Sequence, residues 1–272
     1  MKKLVKIFIV IILLGGGAVF YAFMIEPSLL KVNKHTLTAS KGGDTLKIIQ
    51  LSDIQVSENY SLNRLEKLIK KVNKLDADII VFTGDLFENY SQFPYATEVA
   101  IQLKKLHPKY GKYAVWGNRD YGGGAVRIYN EVLSNGGFHL LKNEGTTFPI
   151  SHNKKLFIGG LDDAIFGSPN IKNTLLHQTK EANYSILLMH EPDVADQLSA
   201  STIDLALAGH SHGGQIHLPF TKRKTNTLAE KYIAGFYDVN GMTLYVNTGI
   251  GTSRIPARFM VPPEIALFTI HL

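Results

Sequence analysis

Apolar and polar positions along the chain fall into three regimes. The first is a run from residue 7 to residue 25 with no charged side chain, preceded by Lys2, Lys3 and Lys6. Its 19 residues approach the roughly 20 that an apolar helix needs to cross a bilayer. Positive charge ahead of the run predicts that the N-terminus stays in the cytoplasm and the rest lies outside. The rival reading is a secretion signal cleaved near Gly16, Gly17 and Ala18. The apolar run continues past that point to Met24, so an uncleaved anchor at 1–25 is expected. Residues 26–44 read as a polar stalk. In the second regime, short apolar runs at 46–51, 79–82, 113–116, 138–141, 156–158, 184–189 and 205–208 read as strands. Between them, apolar residues at 62, 65, 68, 69 and 72 follow a helical period behind Ser61 as the cap. Further helices are expected at 95–106 and 125–133. The third regime is strand-rich, with a hairpin over 232–237 and 242–246 turning at Asn240-Gly241 and a closing strand at 265–270.

The residues just beyond each apolar run carry the chemistry. The strand at 46–51 leads into Ser52-Asp53-Ile54-Gln55, and the strand at 79–82 into Thr83-Gly84-Asp85. The strand at 113–116 leads into Gly117-Asn118-Arg119-Asp120, and the strand at 184–189 into His190-Glu191-Pro192-Asp193. Leu205-Ala206-Leu207-Ala208 runs into Gly209-His210-Ser211-His212-Gly213-Gly214-Gln215. In α/β proteins, sites form outside the carboxyl ends of the strands. A lone Asp or Asn there is usually a turn former or a helix cap. Metal-ligating residues behind five of these strands point instead to a metal centre. On an extended segment, residues two apart face the same way, which would send His210 and His212 into one cleft.

The order D-x-(H), GD, GN(H)D, H, GHxH resembles the calcineurin-like metallophosphoesterases, over essentially all of the chain beyond residue 46. The tail Asn247-Thr248-Gly249-Ile250-Gly251-Thr252-Ser253, Arg258 and Pro262-Pro263-Glu264-Ile265 resembles the membrane-anchored bacterial branch of that family. The resemblance implies an α/β fold, a four-layer αββα sandwich of two mixed sheets flanked by helices over residues 45–272. It also implies roles. Asp85 would bridge two divalent metal ions (manganese, iron or zinc). Asp53, His212 and Gln55 would complete the first site, and Asn118, His190 and His210 the second. Two ions about 3.5–4 Å apart clamp a phosphate and turn a bridging water into hydroxide near neutral pH. Two carboxylates against two dications leave the centre positive and attractive to an anionic ester. Nitrogen and oxygen donors without thiolate suit these metals.

The chain departs from the family pattern at two positions. Gln55 stands where the family has histidine; its amide oxygen is a weaker, harder donor, and the competing reading is that it does not ligate. Arg119 stands where a second histidine is usual. A guanidinium stays protonated, so Arg119 cannot act as a general acid, but it can grip a substrate phosphate oxygen and stabilise transition-state charge. The plainer reading is a salt bridge to Asp120 or Asp163. Without a proton donor, good leaving groups should be favoured.

Composition adjusts this picture only slightly. The net charge of +6, half of it from the three N-terminal lysines, is too mild to argue for nucleic-acid binding. The absence of cysteine excludes a disulfide framework and a lipoprotein linkage. Lys104-Lys105 and Lys222-Arg223-Lys224 read as solvated clusters, with attraction to anionic headgroups as the lesser alternative. Gly122-Gly123-Gly124 reads as a flexible loop entering a helix, with a phosphate cradle as the lesser alternative, and Asp162 and Asp163 read as turn formers, with lining of the cleft as theirs. His217 reads as structural, with substrate contact as the lesser alternative, and Arg254 and Arg258 as surface ion pairs or phosphate ligands. His35, His107, His139, His152, His177 and His271 show no ligand spacing. The function expected is a membrane-anchored, extracytoplasmic phosphoesterase acting on a phosphate ester or pyrophosphate, plausibly lipid-linked. Two other readings compete. One is a relative that binds metal and phosphate without efficient turnover, to be told apart by metal content. The other is a cytosolic nuclease-like esterase, to be told apart by fractionation.

Overall fold

Strand β2 (Thr45–Leu51) shows why the chain makes two layers of sheet. Its Leu46 and Ile48 point to one side and Ile49 and Leu51 to the other, and all four are buried. A strand apolar on both faces must be covered twice. In the computed structural model, which describes residues 2–39, 44–151, 153–178, 181–198 and 203–272, a second sheet covers one face and helices the other. The first sheet is ordered β1 (Lys31–Thr38), β12 (Glu264–His271), β2, β3 (Ile79–Phe82), β4 (Gly111–Ala114), β5 (Phe138–Leu140). The second is ordered β10 (Gly235–Val239), β11 (Met242–Val246), β9 (Leu205–Ala208), β8 (Tyr184–Leu188), β7 (Lys154–Gly160), β6 (Glu144–Ser151). Both are mixed, with β2 through β5 parallel in one and β7, β8, β9 and β11 parallel in the other.

Between the sheets, Leu46, Ile48, Ile79, Val81 and Val115 meet Leu156, Ile158, Ile186, Leu205 and Leu207. Outside the first sheet lie α2 (Leu62–Asn73), α3 (Ala96–Lys104) and α5 (Tyr129–Asn135), packed through Leu65, Leu68, Ile69, Val72, Val99, Leu103 and Val132. Outside the second sheet the cover is thinner: α6 (Ile171–Leu175) and a 3-10 turn at Pro192–Gln197, with Val194, Ala195 and Tyr232 seated on Phe157, Leu187 and Ala206. The expected four-layer sandwich is therefore present.

Two expectations need correction. The stretch expected to be a polar stalk contains β1, which pairs in parallel with β12 from Lys31↔Glu264 to Thr38↔His271. An edge strand exposes one side, so its polar residues hide its place in the ladder. The helix expected at 125–133 begins only at Tyr129, because turns occupy the residues after Gly122. His152 lies outside the described residues.

The apolar N-terminal run forms α1 (Lys2–Phe20) and continues as helical turns to Ser28. It is the one helix among the described residues that is long and apolar enough to cross a membrane. Its end is fastened to the domain. Ala22 O accepts from Arg258 N (2.9 Å), and the buried Glu26 carboxylate accepts from the Met260 and Val261 amides (2.8 and 2.6 Å).

Candidate metal centre

The seven residues singled out as ligands come from the C-terminal ends of β2, β3, β4, β8 and β9, where the two sheets meet. The ends are laced by backbone bonds: Asp53 N to Gly84 O (3.0 Å), Gln55 N to Asp85 O (3.1 Å) and Gly209 N to His190 O (3.0 Å). Five of the seven hold positive φ: Asp53 (50°), Gln55 (55°), Asp85 (59°), His210 (67°) and His212 (49°). Non-glycine residues rarely adopt this region, and such strain collects at functional sites. It also corrects the reasoning from extended spacing. His210 and His212 are not on extended backbone; two left-handed turns, not a strand's alternation, bring them to the same cleft. The close approach needs glycine. A Cβ on Gly117 would lie 2.4 Å from Asp85 Oδ1, and one on Gly209 would lie 2.5 Å from Asp53 Oδ2.

The side chains then converge. His190 Nε2 lies 3.4 Å from Asp85 Oδ1 and 3.2 Å from Asn118 Oδ1. His212 Nε2 lies 3.4 Å from Asp53 Oδ1 and 3.4 Å from Gln55 Nε2, which itself donates to Asp85 Oδ2 (2.9 Å). Single ligand atoms of Asp53, Asp85 and His190 fall within 4.8 Å of one another, as do those of His190, Glu191 and His210. Glu191 was not singled out from the sequence. Its signal was the run His190-Glu191-Pro192-Asp193, read there only for its histidine.

The histidines are oriented from behind. His190 Nδ1 donates to Thr83 O (2.6 Å), leaving Nε2 inward. His210 Nε2 donates to Thr227 O (2.8 Å), leaving Nδ1 inward. Such backing fixes the tautomer of a metal-ligating imidazole. Asp120, buried, accepts from the amides of Asp85 (2.9 Å), Leu86 (2.9 Å) and Gly117 (3.1 Å), and so holds the turns that carry Asp85 and Asn118.

Charge tells the same story. Burial, with His190 adjoining, lowers the pKa of His210 to about 4, and burial with Arg258 adjoining lowers that of His212 to about 3. Both imidazoles are therefore in the neutral form a metal needs. Burial opposes charge on His190 as well, but the carboxylates of Asp85, Glu191 and Asp53 outweigh it and raise its pKa well above the ordinary value. The pocket thus attracts positive charge. Asp53 Oδ1 and Gln55 Oε1 are buried there without a hydrogen-bond partner. Orphaned oxygens beside neutral imidazoles and a carboxylate make a donor set that fits divalent cations.

A model of calcineurin-like phosphoesterases matches residues 46–214, which include every one of these candidate ligands. The chain belongs to that family. The metallophosphoesterase YkuE of Bacillus subtilis is 36% identical over 262 residues, covering 95% of this chain and 91% of that protein. A zebrafish transmembrane protein with a metallophosphoesterase domain is 30% identical over 232 residues, covering 81% of this chain and 52% of its own length. Among solved structures, TT1561 of Thermus thermophilus aligns with a TM-score of 0.49 at 16% identity, covering 76% of this chain and 91% of that one. Family membership makes the chain a metal-dependent phosphoesterase.

The remaining residues can be placed against this phosphoesterase centre. A cavity of about 770 Å³ opens beside Asp85, Asn118, Arg119, His210 and His212. Arg119 lines it, and its Nη2 donates to Ser253 Oγ (3.0 Å) while its Nε lies 3.7 Å from Glu88. The acid facing Arg119 is therefore Glu88, not Asp120 or Asp163, both of which accept backbone amides instead. Nothing in the sequence marked Glu88. Asp162 and Asp163 form the turn at 163–168, as expected. Arg258 is not a surface residue: fully buried, it donates to the carbonyls of Gly251 (2.6 Å), Val261 (3.0 Å) and Thr248 (3.0 Å). Arg254 lines the cavity.

Proposed function

We propose that this phosphoesterase uses two divalent ions, anchored to a membrane by residues 1–25, with its catalytic domain on the extracytoplasmic side. In this reading Asp85 is shared between the ions. Asp53, Gln55 and His212 complete one position, and Asn118, His190 and His210 the other. The observation that carries the reading is the pair of orphaned buried oxygens, Asp53 Oδ1 and Gln55 Oε1, beside the neutral His212 imidazole, whose Nε2 lies 3.4 Å from Asp53 Oδ1. Bound ions would supply charge to the phosphoryl group and a water activated near neutral pH.

The chain's own residues do the rest. Asp85 is set by the Arg119 amide (2.7 Å) and the Gln55 side chain (2.9 Å), so one carboxylate is oriented from both flanks. The Arg119 guanidinium, steadied by Ser253, takes a phosphate oxygen as negative charge develops. Among the residues assigned here, none is placed to protonate a departing alkoxide, which favours phosphate and aryl leaving groups. A lipid-linked or other envelope ester is the substrate class proposed. Its support is the attachment of Ala22 and Glu26 to the 258–261 segment, next to the Ser253, Arg254 and Ile255 wall of the cavity.

The test is hydrolysis of an aryl phosphodiester and an aryl phosphomonoester by full-length protein in detergent, with manganese, zinc or chelator, beside Asp85→Asn. Metal-dependent turnover absent from the variant is expected. A folded protein that holds metal but turns over neither ester with any metal would favour the binding-only relative, for which Gln55 and Arg119 are the motive. Protease accessibility in sealed vesicles tests the orientation.

A further inference from the structure

A second cleft, of about 330 Å³, lies where the chain leaves the apolar helix. Pro27, Ser28 and Leu30 form one wall, and Tyr60, Arg64, Lys67, Leu68 and Lys71 of α2 and the turn before it form the other. Ile250 and Pro263 also line it, and among the described residues no carboxylate does. The three cations sit at i, i+3 and i+7 on α2, which puts them on one helix face. Two are already committed to this place. Arg64 donates to Pro27 O and Lys71 to Leu30 O, which ties the exit of the apolar helix to α2. Lys67, exposed, stands between them.

We propose that this cleft binds the phosphodiester headgroup of an anionic phospholipid. The proposal rests on the anchoring reading above. An apolar run ending at residue 25 brings residues 27–30 to the level of the headgroups, and those residues are one wall of the cleft. Its chemistry matches that position: apolar Pro27, Leu30 and Pro263 towards the glycerol and acyl region, and Arg64, Lys67 and Lys71 towards phosphate. The cleft is separate from the catalytic cavity and shares no lining residue with it. Its occupant would be structural, setting how the domain sits on the surface, and would not be hydrolysed.

The probe is phosphatidylglycerol, counted on the full-length protein by native mass spectrometry from detergent, with phosphatidylcholine as the neutral comparison and glycerol phosphate as the acyl-free one. One phosphatidylglycerol retained in preference to both is expected. Lys67→Gln should weaken that retention about fivefold, and Lys67→Gln with Lys71→Gln roughly 30-fold, from the attraction of each basic residue to anionic lipid. Lys154→Glu on β7 with Lys172→Glu on α6 should change neither. Turnover of a soluble aryl ester should stay at the parent level in every variant. Equal retention of the two lipids, or an equal loss in the control variant, overturns the cleft. So does retention of glycerol phosphate as strong as that of the lipid. Flotation with vesicles of phosphatidylcholine alone, and of phosphatidylcholine with phosphatidylglycerol, separates the two failures. A protein that floats with neither overturns the anchor and the cleft together; one that floats with both while retaining the lipids equally overturns the cleft alone.

Discussion

Truncating Arg119 separates its side chain from its backbone. The Arg119 amide donates to Asp85 Oδ1 at 2.7 Å, and that bond survives in Arg119→Ala. The group lost is the guanidinium, which lines the cavity with its Nη2 on Ser253 Oγ at 3.0 Å. A hydrogen bond to a charged group contributes about 1.5–3 kcal/mol. Arg119 is partly exposed, its side chain retaining 28% of its accessible surface, and Glu88 offsets some of its charge. The lower half of that range is therefore expected, a fall of roughly 10- to 50-fold in kcat/KM for an aryl phosphodiester. Metal content, measured on the same preparation by plasma mass spectrometry, should not change. Arg119→His provides the second arm. A titratable group at that position can protonate a departing alkoxide, so the ratio of alkyl-ester to aryl-ester turnover should rise. A fall of less than twofold in Arg119→Ala with metal intact would refute the phosphate contact. An unchanged alkyl-to-aryl ratio in Arg119→His would refute the leaving-group account.

The other predictions concern the support around the centre. Asp120→Asn puts an NH2 group in place of one of the two oxygens that together accept three backbone amides, so at least one amide then meets a donor; it should destabilise by about 1–3 kcal/mol and weaken metal retention about 10- to 100-fold, read by urea unfolding and by dialysis. Gln55→His should increase zinc retention against chelator, and unchanged retention would show that position 55 does not ligate. Lys112, buried, donates to the carbonyls of Leu103 (3.0 Å), Leu106 (3.2 Å) and Gly136 (2.5 Å), joining the ends of α3 and α5; Lys112→Met should cost about 1–3 kcal/mol by removing these three bonds. Burial, with Lys104 nearby, lowers the Lys112 pKa to about 8. Above that pH the unfolded chain binds the extra proton, so the parent should gain stability over Lys112→Met as pH rises from 8 towards the ordinary lysine value; a flat difference across that window would refute the shift.

Local pattern carried most of the fold. Residues 46–51 and 205–208 are apolar on both sides because sheet lies on one side and helix or turn on the other, and the helical period at 62–72 is the buried face of α2. The candidate ligands were legible for a similar reason: each comes directly after an apolar run. The features that escaped depend on partners distant in sequence. β1 looks polar because it lies at an edge and owes its order to β12, more than 200 positions away. Arg258 looks like a surface cation until three backbone carbonyls are brought around it. Glu88 carries no motif and acquires meaning only when Arg119, Ser253 and Arg254 meet it. His210 and His212 were expected in one cleft and are found there, but through left-handed turns that their spacing does not announce.

The pairing of β1 with β12 changes how far the active centre can travel. A domain hung on a loose tether sweeps a hemisphere and meets substrates at many heights. Here only Leu29 and Leu30 separate the last helical turn from a ladder at the edge of the first sheet, and Glu26 is bonded to the far end of the chain. With the apolar helix in a bilayer, the domain behaves as a bracket rather than a leash. Under the proposed anchoring its cavity would keep to one fixed altitude, and selection among esters would begin with which of them present their phosphate at that height.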